Sequence, residues 1–182
     1  MKKTIINPVI KDEITFTQTA AETNGRISTL VVKLMPGGGT PMHYHKNFSE
    51  TFVVTEGELT LYLKNMVVKL LPGQKFIIEK GQAHRFANEF GAPVVFTTIV
   101  QPGFSGFENA LCILYGLARD KRTNGKGIPL SLLDLAVVTR MSDMHQPGAL
   151  ALLSPLLIFF NILARIGKVD KKLIAKYCLN AE

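Results

Sequence analysis

Three histidines and one glutamate stand at a spacing that can hold a metal ion. His43 and His45 are two residues apart, Glu50 follows after four intervening residues, and His84 lies in a later segment. Residues two apart on a β-strand point to the same face of a sheet, so His43 and His45 should project together. The four residues between His45 and Glu50 are enough to turn the chain and bring a carboxylate beside the two imidazoles.

This set of donor atoms limits the range of metal ions that can bind but does not identify a single one. Neutral imidazole and carboxylate are borderline-to-hard ligands, which suit Fe, Mn, Ni, Cu or Zn and do not suit Cu(I) or an iron–sulfur cluster. Four protein ligands on an octahedral ion leave two positions for water, substrate or dioxygen, whereas a structural zinc site is closed and usually contains Cys. We therefore expect an open, mononuclear site.

Short alternating apolar runs from about residue 13 to residue 100 predict the strands that must position these ligands. Examples are the runs 14–17, 30–34 and 59–64, whose period of two is typical of half-buried strands. Glycine and proline between the runs mark turns, so we expect a β-sandwich or barrel. Four aromatic residues at strand positions are predicted to lie in the core: Phe52, Phe76, Phe86 and Phe96.

The ligand segments resemble the two sequence motifs of the cupin superfamily, over about residues 26–100. The first motif agrees at all its defining positions, which are Gly37, His43, His45, Glu50 and Gly57. The second agrees at Gly73, Gly81, His84 and Asn88. The usual proline before the second glycine of that motif is Glu79 here, a change in a turn that leaves the ligands intact. The 15-residue gap at 58–72 resembles that of compact single-barrel members.

The resemblance implies a mainly β protein with a double-stranded β-helix, or jelly-roll barrel. It implies that His43, His45, Glu50 and His84 bind one divalent transition metal (Fe, Mn, Ni or Zn) inside that barrel. It further implies an enzyme acting on a small organic substrate, as dioxygenase, decarboxylase and isomerase cupins do; no catalytic residue beyond the ligands is assigned. The alternative is a non-catalytic barrel that binds or senses a small ligand, since one fold hosts many functions.

Other residues of the motifs are expected to have structural roles. Gly57, Gly73 and Gly81 should occupy turns that need positive φ. Asn88 should bond to backbone in the following turn, which leaves it outside the site. The remaining histidine, His145, is expected at the surface.

After residue 103 the pattern becomes helical. Ser105 and Glu108 match a capping box, which predicts a helix over about 106–118. Further helix starts are marked by Ser131, Ser154-Pro155 and Asp170. We therefore expect two parts: a barrel at 1–103 and a helical C-terminal extension at 104–182.

The segment 149–164 of the extension is apolar almost all round, and basic residues follow it. Its length of about 24 Å is short of the roughly 30 Å hydrocarbon core of a bilayer, so it should not span a membrane. We expect the helix at 149–166 to be buried against the barrel or against a second subunit of a homodimer. The alternative is a peripheral helix that lies on an anionic membrane.

The net charge of +7 divides into 11 basic and 8 acidic residues before residue 106, and 10 and 6 from there on. No helix-turn-helix signature or basic–aromatic interleaving accompanies it, so we expect no nucleic-acid partner. The two cysteines, Cys112 and Cys178, are far apart and signal neither a disulfide framework nor a Cys-type zinc site. With no apolar export segment recognised at the N-terminus, we expect a cytoplasmic protein.

Overall fold

Alternating apolar and polar side chains build the first half of the chain into strands. The structure, a computed structural model, describes residues 4–179. Within that range nine strands are formed: Thr4–Asn7 (β1), Asp12–Gln18 (β2), Ser28–Leu34 (β3), Ser49–Glu56 (β4), Leu59–Leu63 (β5), Met66–Leu70 (β6), Lys75–Ile78 (β7), His84–Ala87 (β8) and Val94–Gln101 (β9). In β4, Glu50, Phe52 and Val54 are buried while the residues between them are half-buried, which is the predicted alternation.

The strands form two antiparallel sheets of the predicted jelly-roll barrel. One sheet has six strands in the order β1-β2-β3-β9-β4-β7, and the other has three in the order β6-β5-β8. Each pleated sheet buries one face in a common core. Of the predicted core aromatics, Phe52 and Phe96 are fully buried, and Phe76 and Phe86 are half-buried and pack against the same core.

Helices follow the barrel, as the sequence predicts. In the described residues they are Ser105–Arg119 (α1), Leu132–Met141 (α2), Ser154–Ile166 (α3) and Val169–Ile174 (α4), with a 3-10 turn at Gly148–Leu153 and a π turn at Ala175–Leu179. Ser131 caps α2 as predicted, because its Oγ accepts a hydrogen bond from the backbone N–H of Asp134 (3.3 Å). The start of α4 precedes the predicted Asp170 by one residue.

The start of α1 lies close to the predicted position, but the predicted capping box is wrong. Phe104 is the N-cap residue, and no side chain caps the helix. Glu108 does not turn back to Ser105; its Oε1 accepts hydrogen bonds from the backbone N–H of Ala20 (2.6 Å) and from Oγ of Ser28 (2.5 Å). A buried carboxylate requires donors, and these two belong to the barrel. Glu108 therefore fastens α1 to the barrel.

A second buried contact joins the same two parts. The hydroxyl of Tyr115 on α1 donates a hydrogen bond to Oδ2 of Asp12 on β2, and both residues are buried. The other carboxylate oxygen of Asp12, Oδ1, is buried without a hydrogen-bond partner. Burial of this kind disfavours the charged form of the carboxyl.

The helix α3 does not pack against the barrel, so the expectation that the segment 149–166 is buried there is wrong. Its inner face packs on α2, where Nδ2 of Asn161 donates to the carbonyl of Ala136 (3.3 Å) and Ala164 is fully buried. The rest of the helix is exposed. Burial in a second subunit stays a prediction. Among the described residues no single helix is long and apolar enough to cross a bilayer; only a pair, Ala151–Ile166 with Val169–Leu179, bent by 76°, passes by length and composition.

Candidate metal centre

Three backbone segments bring the candidate ligands together. His43 and His84 form an antiparallel bridge in which each backbone N–H donates to the other's carbonyl (2.9 and 2.8 Å). Glu50 is the second residue of β4, and His84 is the first residue of β8. His43 and His45 lie in an extended segment that makes isolated bridges and is not a full strand, but both side chains are buried as the spacing of two predicts.

The four side chains form one compact, buried cluster. One potential ligand atom from each of His43, His45, Glu50 and His84 lies within 4.8 Å of the others. Two donors that each lie ~2.1 Å from one ion are at most ~4.2 Å apart, so this spread is close to that of a metal site. Oε2 of Glu50 is 2.8 Å from Nε2 of His84 and 3.6 Å from Nε2 of His45.

The tautomer of each histidine follows from its second ring nitrogen. Nδ1 lies against a backbone carbonyl in all three: Pro41 for His43 (2.7 Å), Asp143 for His45 (3.1 Å) and Gln82 for His84 (2.9 Å). A carbonyl oxygen only accepts, so each Nδ1 carries a proton and donates it. An imidazole held in this way and otherwise unprotonated presents the lone pair of Nε2 to the cluster, which is the orientation that metal ligands require.

Two observations test whether the cluster suits a cation. Nε2 of His45 is buried and has no hydrogen-bond partner. Leaving a buried acceptor unpaired costs free energy unless a donor or a cation binds to it. Nε2 of His84 and Oε2 of Glu50 face each other at 2.8 Å, and with Nδ1 of His84 already protonated this contact needs a proton or a metal ion between the two atoms. The four residues therefore fit a divalent metal.

The surroundings of the four residues shift their pKa values in different directions. Burial, reinforced by His84 and His45, lowers the pKa of His43 from 6.5 to about 3. Burial also lowers the pKa of His45. The pKa of Glu50 falls to about 2, because His45 and the hydrogen bond with His84 outweigh burial, which opposes ionisation. Burial lowers the pKa of His84, but the hydrogen bond with Glu50, the charge of Glu50 and the hydrogen bond with the carbonyl of Gln82 together outweigh it, so the pKa is raised. The cluster thus holds an ionised carboxylate and neutral imidazoles at His43 and His45.

Aromatic rings surround the imidazoles. The ring of Phe48 stacks on His45 with a centroid distance of 4.3 Å, and Phe107 of α1 meets His45 edge-on at 6.0 Å. Phe52 lies 6.2 Å from His84. These apolar neighbours exclude water and strengthen electrostatic interactions among the ligands. One of them, Phe107, comes from the helical extension.

Sequence reasoning missed a second contribution of the extension. Asp143, in the loop after α2, bonds to Nδ1 of His45 through its carbonyl, and its Oδ2 accepts from the backbone N–H groups of Lys46 and Asn47 (2.7 Å each). His145, which was expected at the surface, is half-buried with 25% of its side chain exposed. Its partners were not expected: it forms an antiparallel bridge with Tyr44, its ring stacks on Tyr44 at 5.2 Å, and its Nε2 is 3.0 Å from Oδ1 of Asp143. The pairing joins residues about 100 apart in sequence, so no local pattern predicts it.

The remaining motif residues have the predicted structural roles. Gly57, Gly73 and Gly81 have φ of 77°, 84° and 77°. The amide Nδ2 of Asn88 donates to the carbonyls of Leu34 (2.9 Å) and Ala92 (2.8 Å), so Asn88 holds a turn and does not join the cluster.

A separate surface hollow of about 570 Å³ contains none of the four cluster residues. Its lining consists of Gln18, Thr23, Arg26, Ile27, Gln101 and Pro102.

One known protein family matches the central part of the barrel. The family described as Cupin domain matches residues 30–100. No curated protein matches the chain. Similar solved structures include KdgF from Halomonas sp. (15% identity, TM-score 0.47, covering 52% of this chain and 82% of that one) and a predicted oxalate decarboxylase from Thermotoga maritima (17%, 0.48, 50% and 80%). A third is the polyketide cyclase RemF from Streptomyces resistomycificus (22%, 0.46, 50% and 65%). The residues matched by the family contain all four members of the cluster, so this part of the chain, in the barrel, is a cupin domain.

Proposed function

We propose that His43, His45, Glu50 and His84 bind one divalent transition metal and that the protein is an enzyme acting on a small organic substrate there. The observation that carries the proposal is the unpartnered Nε2 of His45, buried in a cluster where Nε2 of His84 and Oε2 of Glu50 also converge. The reaction class is dioxygenase-, decarboxylase- or isomerase-like. When bound, the metal (Fe, Mn, Ni or Zn) would supply a Lewis acid that polarises an oxygen atom of the substrate.

The chain's own residues prepare this site. Three backbone carbonyls fix the imidazoles with their Nε2 atoms directed inward. The carboxylate of Glu50 supplies one negative charge to a divalent ion and leaves a net positive centre suited to an oxygen-rich or anionic substrate. Phe48 and Phe107 pack on His45 and keep that side of the cluster dry.

A second candidate is a non-catalytic barrel that binds or senses a small ligand. It is favoured by the side chains whose rings contact the cluster, because Phe48, Phe52 and Phe107 carry no acid or base for proton transfer. In that case the ligand would dock on the metal and leave unchanged.

Elemental analysis of protein purified without an affinity tag tests the metal site. We expect one transition-metal ion per chain in the wild type and strongly reduced content in His43→Ala and Glu50→Ala. Glu58→Ala is the matched control, since Glu58 pairs with Lys69 (2.8 Å) outside the cluster. Unchanged metal content in both ligand variants would refute the site.

A second experiment separates the enzyme from the binding barrel. Oxalate and catechol serve as an oxygen-rich and an aromatic probe with the metal-loaded protein. Conversion that is lost in Glu50→Ala supports the enzyme. Saturable, metal-dependent binding followed by recovery of the intact probe supports the non-catalytic alternative.

A further inference from the structure

The exposed side of α3 is an apolar surface that the rest of the described chain leaves uncovered. Six large apolar side chains on it are between 41% and 74% exposed: Leu156, Ile158, Phe159, Ile162, Leu163 and Ile166. At 100° per residue these positions span an arc of about 160°. We call these six residues the α3 face. A continuous apolar surface of this kind marks an interaction site.

The opposite side of the helix explains why this face stays free. Leu157, Phe160, Asn161 and Ala164 occupy the remaining arc and are half-buried or buried, and the helix packs on α2 along it. The helix is therefore already anchored by its inner side. Its backbone therefore needs no further ordering when the α3 face meets a partner, and only the side chains lose conformational freedom.

The positive charge near the α3 face favours an anionic partner. Between residues 148 and 179 there are five basic residues and one acidic residue, a difference of +4. Four exposed cations lie near the end of α3: Arg165 in its last turn, Lys168 just before α4, and Lys171 and Lys172 on α4. Lys176 is already paired with Asp120 (2.6 Å). An apolar face followed by exposed cations is the pattern of a helix that lies in the interface of an anionic bilayer.

A second copy of the chain fits this surface less well. A symmetric dimer through the α3 face presents the same patch twice, so it offers no exposed acidic side chains to the four cations. The 13 residues of α3 are about 20 Å long, too short to cross a hydrocarbon core of about 30 Å. The helix can lie along a membrane surface but cannot span it.

We propose that the α3 face and the cations Arg165, Lys168, Lys171 and Lys172 dock this protein peripherally on membranes that contain anionic phospholipid. The apolar side chains enter the boundary between headgroups and acyl chains, and the cations contact the lipid phosphates. The barrel and its cluster of four candidate metal ligands then lie at the membrane surface. This proposal does not depend on the proposed enzymatic function.

Vesicle flotation with the full chain tests the proposal. The probes are vesicles of phosphatidylcholine alone and of equal parts phosphatidylcholine and phosphatidylglycerol. We expect the partition coefficient for the anionic vesicles to be at least about tenfold higher and to fall as salt is added. Equal binding to both vesicles, or no binding to either, overturns the proposal.

Matched variants locate the surface. Phe159 and Phe90 are exposed to the same extent, 54% and 53%, but Phe90 lies in the loop between β8 and β9. Phe159→Asp should lower the partition coefficient at least about tenfold, while Phe90→Asp should leave it unchanged apart from a small general charge effect. Thermal unfolding verifies that both variants are folded. An equal loss in the two variants contradicts a specific α3 face.

A second matched pair tests the cations. Lys168→Glu/Lys171→Glu/Lys172→Glu and Lys33→Glu/Lys64→Glu/Lys75→Glu change the net charge equally, and the second set consists of exposed lysines on the barrel. Binding to anionic vesicles should be lost only in the first. Sedimentation completes the test: a wild-type dimer that becomes monomeric in Phe159→Asp, with no vesicle binding in either protein, assigns the α3 face to a second copy and overturns the membrane proposal.

Discussion

The backbone carbonyl of Asp143 accepts a hydrogen bond from Nδ1 of His45 (3.1 Å), although 98 positions separate the two residues. The same aspartate accepts from two backbone N–H groups directly after His45, those of Lys46 and Asn47. The helical extension therefore orients a candidate metal ligand of the barrel. Partners that hold the second nitrogen of a ligating histidine commonly affect metal affinity by 10- to 100-fold.

We expect Asp143→Ala to weaken metal binding by about tenfold or more, because the loop that holds His45 loses its carboxylate anchor. The part-buried N–H groups of Lys46 and Asn47 lose their acceptor as well. Both residues are exposed, so water can replace the acceptor, and the free energy of unfolding should fall by only about 0.5–1.5 kcal/mol for each bond. Metal affinity is measured by competition with a chelator of known strength. The control is Asp120→Ala, which removes a carboxylate paired with Lys176 and Tyr177 far from the cluster. Equal metal affinity in the two variants would show that Asp143 has no positioning role.

Metal binding should stabilise the folded protein. A ligand at one hundred times its Kd adds about 2.7 kcal/mol, which for a chain of this size corresponds to a rise in Tm of about 5–10 °C. Scanning calorimetry with and without added metal measures this rise. Glu50→Gln, which keeps the side-chain volume but removes the charge, should abolish it, whereas Glu58→Gln should retain it. A metal-dependent rise of the same size in Glu50→Gln would contradict Glu50 as a ligand.

The buried Asp12–Tyr115 contact predicts a pH dependence of stability. Burial raises the pKa of Asp12 from 3.8 to about 7, with the bond from Tyr115 acting in the opposite direction. The folded state therefore keeps this proton up to about pH 7, whereas the unfolded chain loses it near pH 4, so stability falls as the pH rises between these values. Asp12→Asn cannot lose a proton there.

Relative to the wild type, we expect Asp12→Asn to gain about 2–3 kcal/mol in the free energy of unfolding between about pH 5 and about pH 8. Urea titrations at the two pH values measure the difference. Glu13→Gln, at the exposed neighbouring position, should follow the wild type. A constant difference between Asp12→Asn and the wild type at both pH values would rule out a protonated Asp12 in the folded state.

Alanine variants of two motif glycines distinguish the cost of backbone strain from the cost of a steric clash. Gly57 and Gly73 both have positive φ, but an added Cβ at Gly57 would lie 2.7 Å from the carbonyl oxygen of Pro93, whereas at Gly73 nothing lies within 4 Å. Gly73→Ala should cost about 1–2 kcal/mol from the left-handed conformation alone. Gly57→Ala should cost more, because backbone must also move. Chemical denaturation of both variants tests the order, and equal losses would contradict the close contact.

The sequence was sufficient to predict the strands, the clustering of the four candidate ligands and the roles of the glycines. The strands follow from the spacing of two, the glycines from turn residues, and the full set of candidate ligands from the two motifs. The capping box at Ser105 and Glu108 failed because a tertiary demand, the donors of Ala20 and Ser28, competed for the carboxylate. The partners of His145, which are Tyr44 and Asp143, could not be predicted either, because pairing across the fold leaves no periodicity in the sequence.

The helix α2 has two neighbours whose roles are otherwise separate. One side of it supports α3, and the loop at its C-terminal end carries Asp143 to His45. Thermodynamic linkage makes any influence across this helix reciprocal: if lipid contact changes the metal affinity by some factor, metal occupancy changes the lipid affinity by the same factor. Comparing the vesicle partition coefficients of metal-loaded and metal-free protein therefore measures the coupling between lipid binding at α3 and metal binding in the barrel.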